Sequence, residues 1–289
     1  MAQTIKNPLV KPFVKWVGGK KQLMEYINLY KPKSFGRYYE PFVGGGSVFM
    51  TFQYPKTTIN DFNNELINVY EVVRGNVELL IQELKIHADN NSKEYYYELR
   101  EWDRTGVMEE KNAIERAARF IYLNKTCYNG LFRVNAQGQF NVPYGQYKNP
   151  NIVNEEILRA DSKFLKKSTI KIINGDFELA VKNAKKGDFV YFDPPYAPLV
   201  EDTQSFVGYT LNGFGYEEQV RLRDLFVKLD KKGCYVMLSN SSSKIIHELY
   251  TDYAETTEIV GANRMVNSKS SGRGKVDEVL IMNYNYREQ

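Results

Sequence analysis

The sequence predicts an α/β protein on a parallel, doubly wound sheet, with a mainly helical segment inserted into it. Three observations carry this reading. Strand-like apolar runs alternate with amphipathic helical stretches near both ends, the middle of the chain is helical in texture, and turn residues follow the strand-like runs. In order, "RYYEPFVGGGSVF" and "TTINDFN" within residues 10–62 read as short strands ending in turn and helix signals. From Asn63 the stretch "NELINVYEVVRGNVELLIQELKIHA" spaces its apolar residues at helical intervals, with a break at Gly75-Asn76, and "KNAIERAARFIYLNK" is a second amphipathic stretch. "FRV" and "QFNV" then flank "NAQG", which reads as a hairpin or hairpin-like loop. After Ser162 the alternation resumes: "TIKIINGDF" is strand-like and is followed by "ELAVKNAKK", then by the apolar run "DFVYFDPPY". "EEQVRLRDLFVKLDKKG" is a helix stopped by Gly233, "CYVMLSNSSS" a strand running into a polar loop, "KIIHELYTDY" a helix and "VDEVLIMNYN" a terminal strand. Residues 1–62 and 162–289 thus form one domain, into which 63–161 is inserted.

With 289 residues, 43% of them hydrophobic, the chain can bury one large core or two modest ones. A net charge of +4 excludes a global polycation argument, so basic residues count only where they cluster. Tyrosines and phenylalanines, 22 and 16 of them, suit both base stacking and plain packing. Cys127 and Cys234 are too few for a disulfide framework and fit a reducing compartment. No uninterrupted apolar run approaches the ~20 residues of a membrane span, and "NPLVKPFVKW" is no signal-peptide core, so a cytoplasmic protein is expected. His87 and His247 lack a companion at ligand spacing, and no metal site is assigned.

Three places invite chemistry. Gly44, Gly45 and Gly46 in "YYEPFVGGGSVF" follow a strand ending at Glu40; they suit close backbone approach to a ligand and a plain tight turn equally. The spacing is neither the full dinucleotide fingerprint nor a P-loop. Asp61 in "INDFN" lies about 20 residues further on, where an acid accepts both ribose hydroxyls of an adenosine-containing cofactor, although Asp61 or Asn63 could equally cap the next helix. In "YFDPPY", Asp193 ends an apolar strand where open α/β sheets place their ligand crevice, and Pro194 and Pro195 carry no N–H, which frees the neighbouring carbonyls to be aimed. A carboxylate and a carbonyl accepting the hydrogens of a base's exocyclic amine would release a lone pair otherwise delocalised into the ring, and Tyr196 could stack on that base. The plainer alternative is a strand-ending turn; two prolines, a terminal aromatic and the apolar strand before them favour chemistry.

Taken together, "FVKWVGGK", "EPFVGGGSVF", "INDFN", "YNGLFRVN", "QFNVPYG", "GDF" and "YFDPPY" occur in an order that resembles the Dam-type, alpha-class DNA adenine-N6 methyltransferases specific for GATC. The resemblance is closest to the DpnII-type methylases, also through "QVRLRD" and "YVMLSNSSS". It covers nearly the whole chain. It implies S-adenosylmethionine as cofactor and a Rossmann-like methyltransferase sheet carrying a helical DNA-recognition insert with a hairpin. It further implies that Trp16 and Lys20 form the N-terminal cofactor motif, that Glu40, Phe42, Gly44 and Gly46 lie on the methionine side, and that Asp61 is the ribose acid. Asp176 and Phe177 are placed on the adenine side, and Asp193, Pro194 and Tyr196 in the catalytic motif, with Asp193 also close to the methionine amine.

Double-stranded DNA is then the expected partner, and a base inside a duplex must be flipped out to react. In "YNGLFRVN", Tyr128, Asn129 and Leu131 are candidates to intercalate or fill the gap, and Arg133 to hold guanine bidentately. Pro143 can touch a thymine methyl, Lys15 is placed by the resemblance near the first base, and Lys148 suits a phosphate; Gln146 stands where related sequences usually carry arginine. "NSKSSGRGKVDE", with Lys269, Arg273 and Lys275, reads as a basic loop suited to phosphate contact. Cys127 is read as a packing residue. Competing readings are an amino-group methyltransferase acting on cytosine N4 or RNA adenine, against which the 128–147 segment speaks, and a DNA-binding protein with an inactive cofactor site, against which Gly44–Gly46, Asp61 and Asp193 speak.

Overall fold

The apolar run at 189–192 becomes the middle of a sheet. The structure, a computed structural model, describes residues 6–16, 23–199, 213–263 and 275–288. Its seven strands are β1 (Tyr38–Glu40), β2 (Thr57–Asp61), β3 (Ile170–Asn174), β4 (Phe189–Phe192), β5 (Tyr235–Ser241), β6 (Thr257–Asn263) and β7 (Lys275–Met282), in the order β3-β2-β1-β4-β5-β7-β6. β1 pairs in parallel with β2 and β4, and β4 with β5, while β7 runs antiparallel to both β5 and β6. All four residues of β4 are buried, the pattern of a strand covered on both faces. The order matches a doubly wound sheet with one antiparallel strand slipped between β5 and β6.

The chain divides into two compact units. The first comprises Met1–Gly19, Val43–Pro55 and Asn60–Gly175. Its centre is the helix Ala113–Thr126, begun by a capping box between Asn112 and Glu115 and packed against Asn64–Gly75, Val77–Asp89 and Lys93–Glu101. Nine of its residues are buried, including residues around its whole circumference, as a central helix requires. The helical break falls at Gly75-Asn76, as the spacing predicts. The hairpin expected around "NAQG" exists as single bridges, Val134 to Phe140 and Cys127 to Tyr144, rather than a ladder. Asn135 closes its tip, its side chain accepting from the amides of Gln137 and Gln139, and Gly138 supplies a φ of 77°.

The second unit comprises Lys20–Phe42, Lys56–Ile59 and Asp176–Gln289. Its core gathers Tyr39, Val190, Phe192, Leu222, Phe226, Val236 and Leu238. The helix Tyr216–Lys231 ends before Gly233, which takes a φ of 78°. Three sequence expectations need correction here. "ELAVKNAKK" is helical only over Phe177–Ala180. β5 continues through Ser239, Asn240 and Ser241, all fully buried, where a polar loop is expected. β6 carries no expected strand. Lys269 and Arg273 of the basic loop lie outside the described residues, and Lys275 opens β7. Among the described residues no helix is long and apolar enough to cross a membrane.

Candidate active site

β4 ends at Phe192, opposite Leu238 of β5; one more parallel step sets Asp193 beside Ser239. The Ser239 hydroxyl donates to Asp193 Oδ1 at 2.8 Å and lies 2.9 Å from the Tyr191 hydroxyl. The two prolines remove donors, and buried side chains hold the polar groups that remain. Gln219 Nε2 donates to the Pro195 carbonyl at 3.0 Å, Asn240 Oδ1 accepts from the Ala197 amide at 2.9 Å, and Ser241 Oγ donates to the Ala197 carbonyl at 2.6 Å. Asn240 in turn donates to Gln219 at 3.2 Å. This is why three polar residues lie inside a sheet: they satisfy a loop that cannot satisfy itself. The Tyr196 hydroxyl donates to Glu278 on β7 at 3.0 Å. Burial first, then the Asp193 and Glu278 carboxylates, push this phenol well above its ordinary range, so it remains a neutral donor.

Phe42 stacks on Phe177 at 5.3 Å between ring centroids and meets Phe214 and Phe192 edge-on, forming an aromatic cluster in the same unit. The Arg221 guanidinium covers Phe177 at 5.0 Å and reaches Asp176, which caps the short helix through the Glu178 amide. Glu40 is buried and accepts from the Tyr38 hydroxyl at 2.6 Å. Lys20 lies outside the described residues.

In the first unit the glycine turn is tightly packed. A Cβ on Gly44 would come within 2.7 Å of the Trp16 ring, and one on Gly46 within 2.6 Å of the Tyr70 hydroxyl. Both glycines also take positive φ, 48° and 76°. Asp61 closes the turn, accepting from Gly44 N at 3.0 Å and from Asn63 N at 2.9 Å, while Asn63 is the helix cap, accepting from Leu66 N. Each carboxylate oxygen has a second lone pair, so Asp61 keeps acceptor capacity for ligand hydroxyls. Beside it Phe62 is 82% exposed, an aromatic face that the sequence reading passes over. Trp16 stacks on Phe132 at 5.3 Å.

Tyr128, Asn129, Arg133, Pro143, Gln146 and Lys148 are exposed, and Leu131 is half-buried. Asn129 and Gln146 both take positive φ, 56° and 53°. Arg133 Nε donates to Asn141 Oδ1 at 2.7 Å. Fully buried Asn124 joins Lys15 to this segment: its Oδ1 accepts from Lys15 N at 2.7 Å, and its Nδ2 donates to the carbonyls of Lys15 and Gly130. The Lys15 stem lies against Gly130, where a Cβ would meet it at 2.3 Å, and its ammonium sits 4.8 Å from the Tyr147 ring centroid. Asp103 accepts from the Phe140 amide and Arg104 donates to the Phe140 carbonyl, which ties down the returning limb of the hairpin. Asn124, Asp103, Ser239 and Asn240 escape the sequence reading because their partners lie tens of residues away. Burial pushes the Cys127 thiol up to about 12, and its Sγ lies 3.2 Å from the Leu131 carbonyl, in keeping with packing. Among the described residues no group of three His, Cys, Asp or Glu is placed to hold a metal ion.

A doubly wound sheet with an acid-Pro-Pro-Tyr turn at a strand's carboxyl end sets that turn where α/β enzymes bind their ligands. Residues 16–266 match the D12 class of N6 adenine-specific DNA methyltransferases, and the chain belongs to that family. Similar proteins include the type II methyltransferase M1.LlaDCHI of Lactococcus lactis subsp. cremoris, 51% identical over 96% of this chain and 98% of its own length. The type II methyltransferase M.MjaIII of Methanocaldococcus jannaschii is 43% identical over 95% and 99%, and a DNA adenine methylase of Vibrio cholerae 34% identical over 94% and 95%. The protein is an adenine-specific DNA methyltransferase, and its substrate is DNA.

Proposed function

We propose that the enzyme methylates N6 of an adenine flipped out of duplex DNA at GATC, with S-adenosylmethionine as donor. The observation that carries this reading is the Asp193-Pro-Pro-Tyr196 turn, held rigid by Ser239, Asn240, Gln219 and Glu278. When bound, S-adenosylmethionine supplies a methyl group on a sulfonium sulfur. Asp61, Trp16, Glu40, Phe42, Gly44, Gly46, Asp176 and Phe177 are the residues proposed to hold it, together with Lys20. Asp61 fits that task because its oxygens retain lone pairs and exposed Phe62 flanks it. Asp193 accepts a hydrogen from the target amine, which localises the nitrogen lone pair, and the Tyr196 ring supports the base. Pro194 fixes the backbone between them.

Residues 63–161 are proposed as the DNA-recognition domain, inserted between 1–62 and 162–289. Arg133 is its guanine reader, Lys15 reads the first base, and Pro143 meets a thymine methyl. Tyr128, Asn129 and Leu131 fill the gap left by the base, and Lys148 holds a phosphate; exposure of most of these side chains supports the reading. The relatives named as type II methyltransferases support a place in restriction–modification, and the cytoplasm is the compartment proposed. Labelled-methyl transfer to a GATC duplex and to duplexes with each single-base change tests the specificity. Transfer should fall by about fivefold to 150-fold for each change, from ~1–3 kcal/mol per altered pair. Equal labelling of all duplexes overturns GATC. Folded Asp193→Ala should transfer no methyl, and full activity there removes Asp193 from its role.

A further inference from the structure

We propose that Ser239 is a positioning residue that fixes the Asp193 carboxylate, with Tyr191 ordering the hydrogen that does so. The inference rests on the reading of Asp193 as acceptor of the target amine's hydrogen. Its basis is a chain of three side chains across two neighbouring strands. Tyr191 and Asp193, two residues apart on one strand direction, face the same side, and the β4–β5 register brings Ser239 between them. Tyr191 and Ser239 are fully buried.

The direction of the chain follows from valence. An ionised carboxylate only accepts, so the 2.8 Å contact uses the single Ser239 hydrogen. The Phe192 carbonyl, 3.4 Å from the same hydroxyl, is the poorer acceptor for that hydrogen. The Tyr191 hydroxyl, 2.9 Å away, must then donate to Ser239 Oγ. The order is Tyr191 to Ser239 to Asp193, and each donation strengthens the next. Its effect is to set the plane of the carboxylate before the base arrives, so that no reorientation accompanies the reaction. An apolar residue in place of Ser239 would pack there without a partner to satisfy.

The test compares Ser239→Ala, Tyr191→Phe, the double variant and Asp193→Ala, each checked for unaltered melting. Single-turnover methyl transfer should slow by about tenfold to a hundredfold in Ser239→Ala, the weight of one hydrogen bond to a charged group. Binding of S-adenosylmethionine and of duplex should stay within about twofold. A slower chemical step with unaltered binding and melting marks loss of positioning, since loss of packing would disturb binding and melting as well. Tyr191→Phe should show the same loss of rate in smaller measure. The double variant should be no slower than Ser239→Ala, since Tyr191 acts through Ser239. A Ser239→Ala rate equal to wild type, with Asp193→Ala inactive, overturns the inference alone. Full activity in Asp193→Ala instead removes the reading beneath it and the inference with it. Should Ser239→Ala fail to fold, Tyr191→Phe decides: slower transfer with unaltered binding supports the chain, and an unchanged rate overturns it.

Discussion

Asp61 accepts from the backbone of the glycine turn, through Gly44, and of the entrance of the following helix, through Asn63. Burial raises its carboxyl pKa, and the amides of Asn63, Gly44 and Phe62 pull against that rise. As the proposed ribose acceptor it should contribute roughly 1.5–3 kcal/mol to cofactor binding, so Asp61→Ala should weaken S-adenosylmethionine by about one to two decades. Calorimetry with the cofactor, beside duplex binding by the same variant, checks this; equal loss in both would make Asp61 a brace for the turn only. The raised pKa sets the sign with pH. Affinity that needs the carboxylate is full above its folded pKa and is lost as pH falls, beginning above the usual aspartate range. The sequence leaves Asp61 and Asn63 as equal candidates for helix cap, because both carry a short oxygen-bearing side chain. Only the turn's position separates them: Asn63 faces Leu66 and Asp61 faces Gly44.

His87 shows what an element adds. It lies on the helix Val77–Asp89, its Nδ1 2.8 Å from the Tyr95 hydroxyl and its Nε2 without a hydrogen-bond partner. Burial, then the charge of Lys111, lower its pKa to about 4. The native histidine is neutral, so below about 6.5 the unfolded chain binds a proton that the native state refuses. Stability from this group is therefore present above about 6.5 and lost as pH falls to about 4, by up to about 3 kcal/mol at ~1.4 kcal/mol per pKa unit. Urea unfolding of wild type and His87→Phe across that range should show the variant with a flatter profile. The unpaired Tyr95 hydroxyl adds an offset but no slope; parallel profiles would contradict the assignment. Element boundaries follow the same logic of hidden partners. The break at Gly75-Asn76 is legible because apolar spacing and helix breakers act locally. β5 is read short because Ser239, Asn240 and Ser241 carry loop chemistry, and the groups they satisfy are 21 to 46 residues away. β6 escapes because it is an edge strand with Ile259 59% exposed, so its apolar pattern is weak.

For the whole molecule, a net charge of +4 leaves DNA affinity to a few local contacts, so each should be separable. Motifs at strand ends are legible in the sequence because topology forces ligand chemistry there, whereas Asn124, whose partner Lys15 lies 109 residues away, has no local signature. Arg133 and Lys148 are both exposed cations, yet their surroundings predict different roles. The Asn141 oxygen fixes Arg133 through Nε, which orients a planar fork suited to guanine O6 and N7. Lys148 is a point charge suited to phosphate. Arg133→Ala should lose ~1–3 kcal/mol of discrimination at one base pair and little elsewhere. Lys148→Ala should weaken every duplex alike and reduce the slope of log affinity against log salt by about one. Anisotropy titrations of both variants on GATC and on each single-change duplex, between about 50 and 200 mM salt, separate the two roles. If Arg133→Ala lowers affinity uniformly and keeps the base preference, Arg133 holds a phosphate, and guanine is read by another side chain.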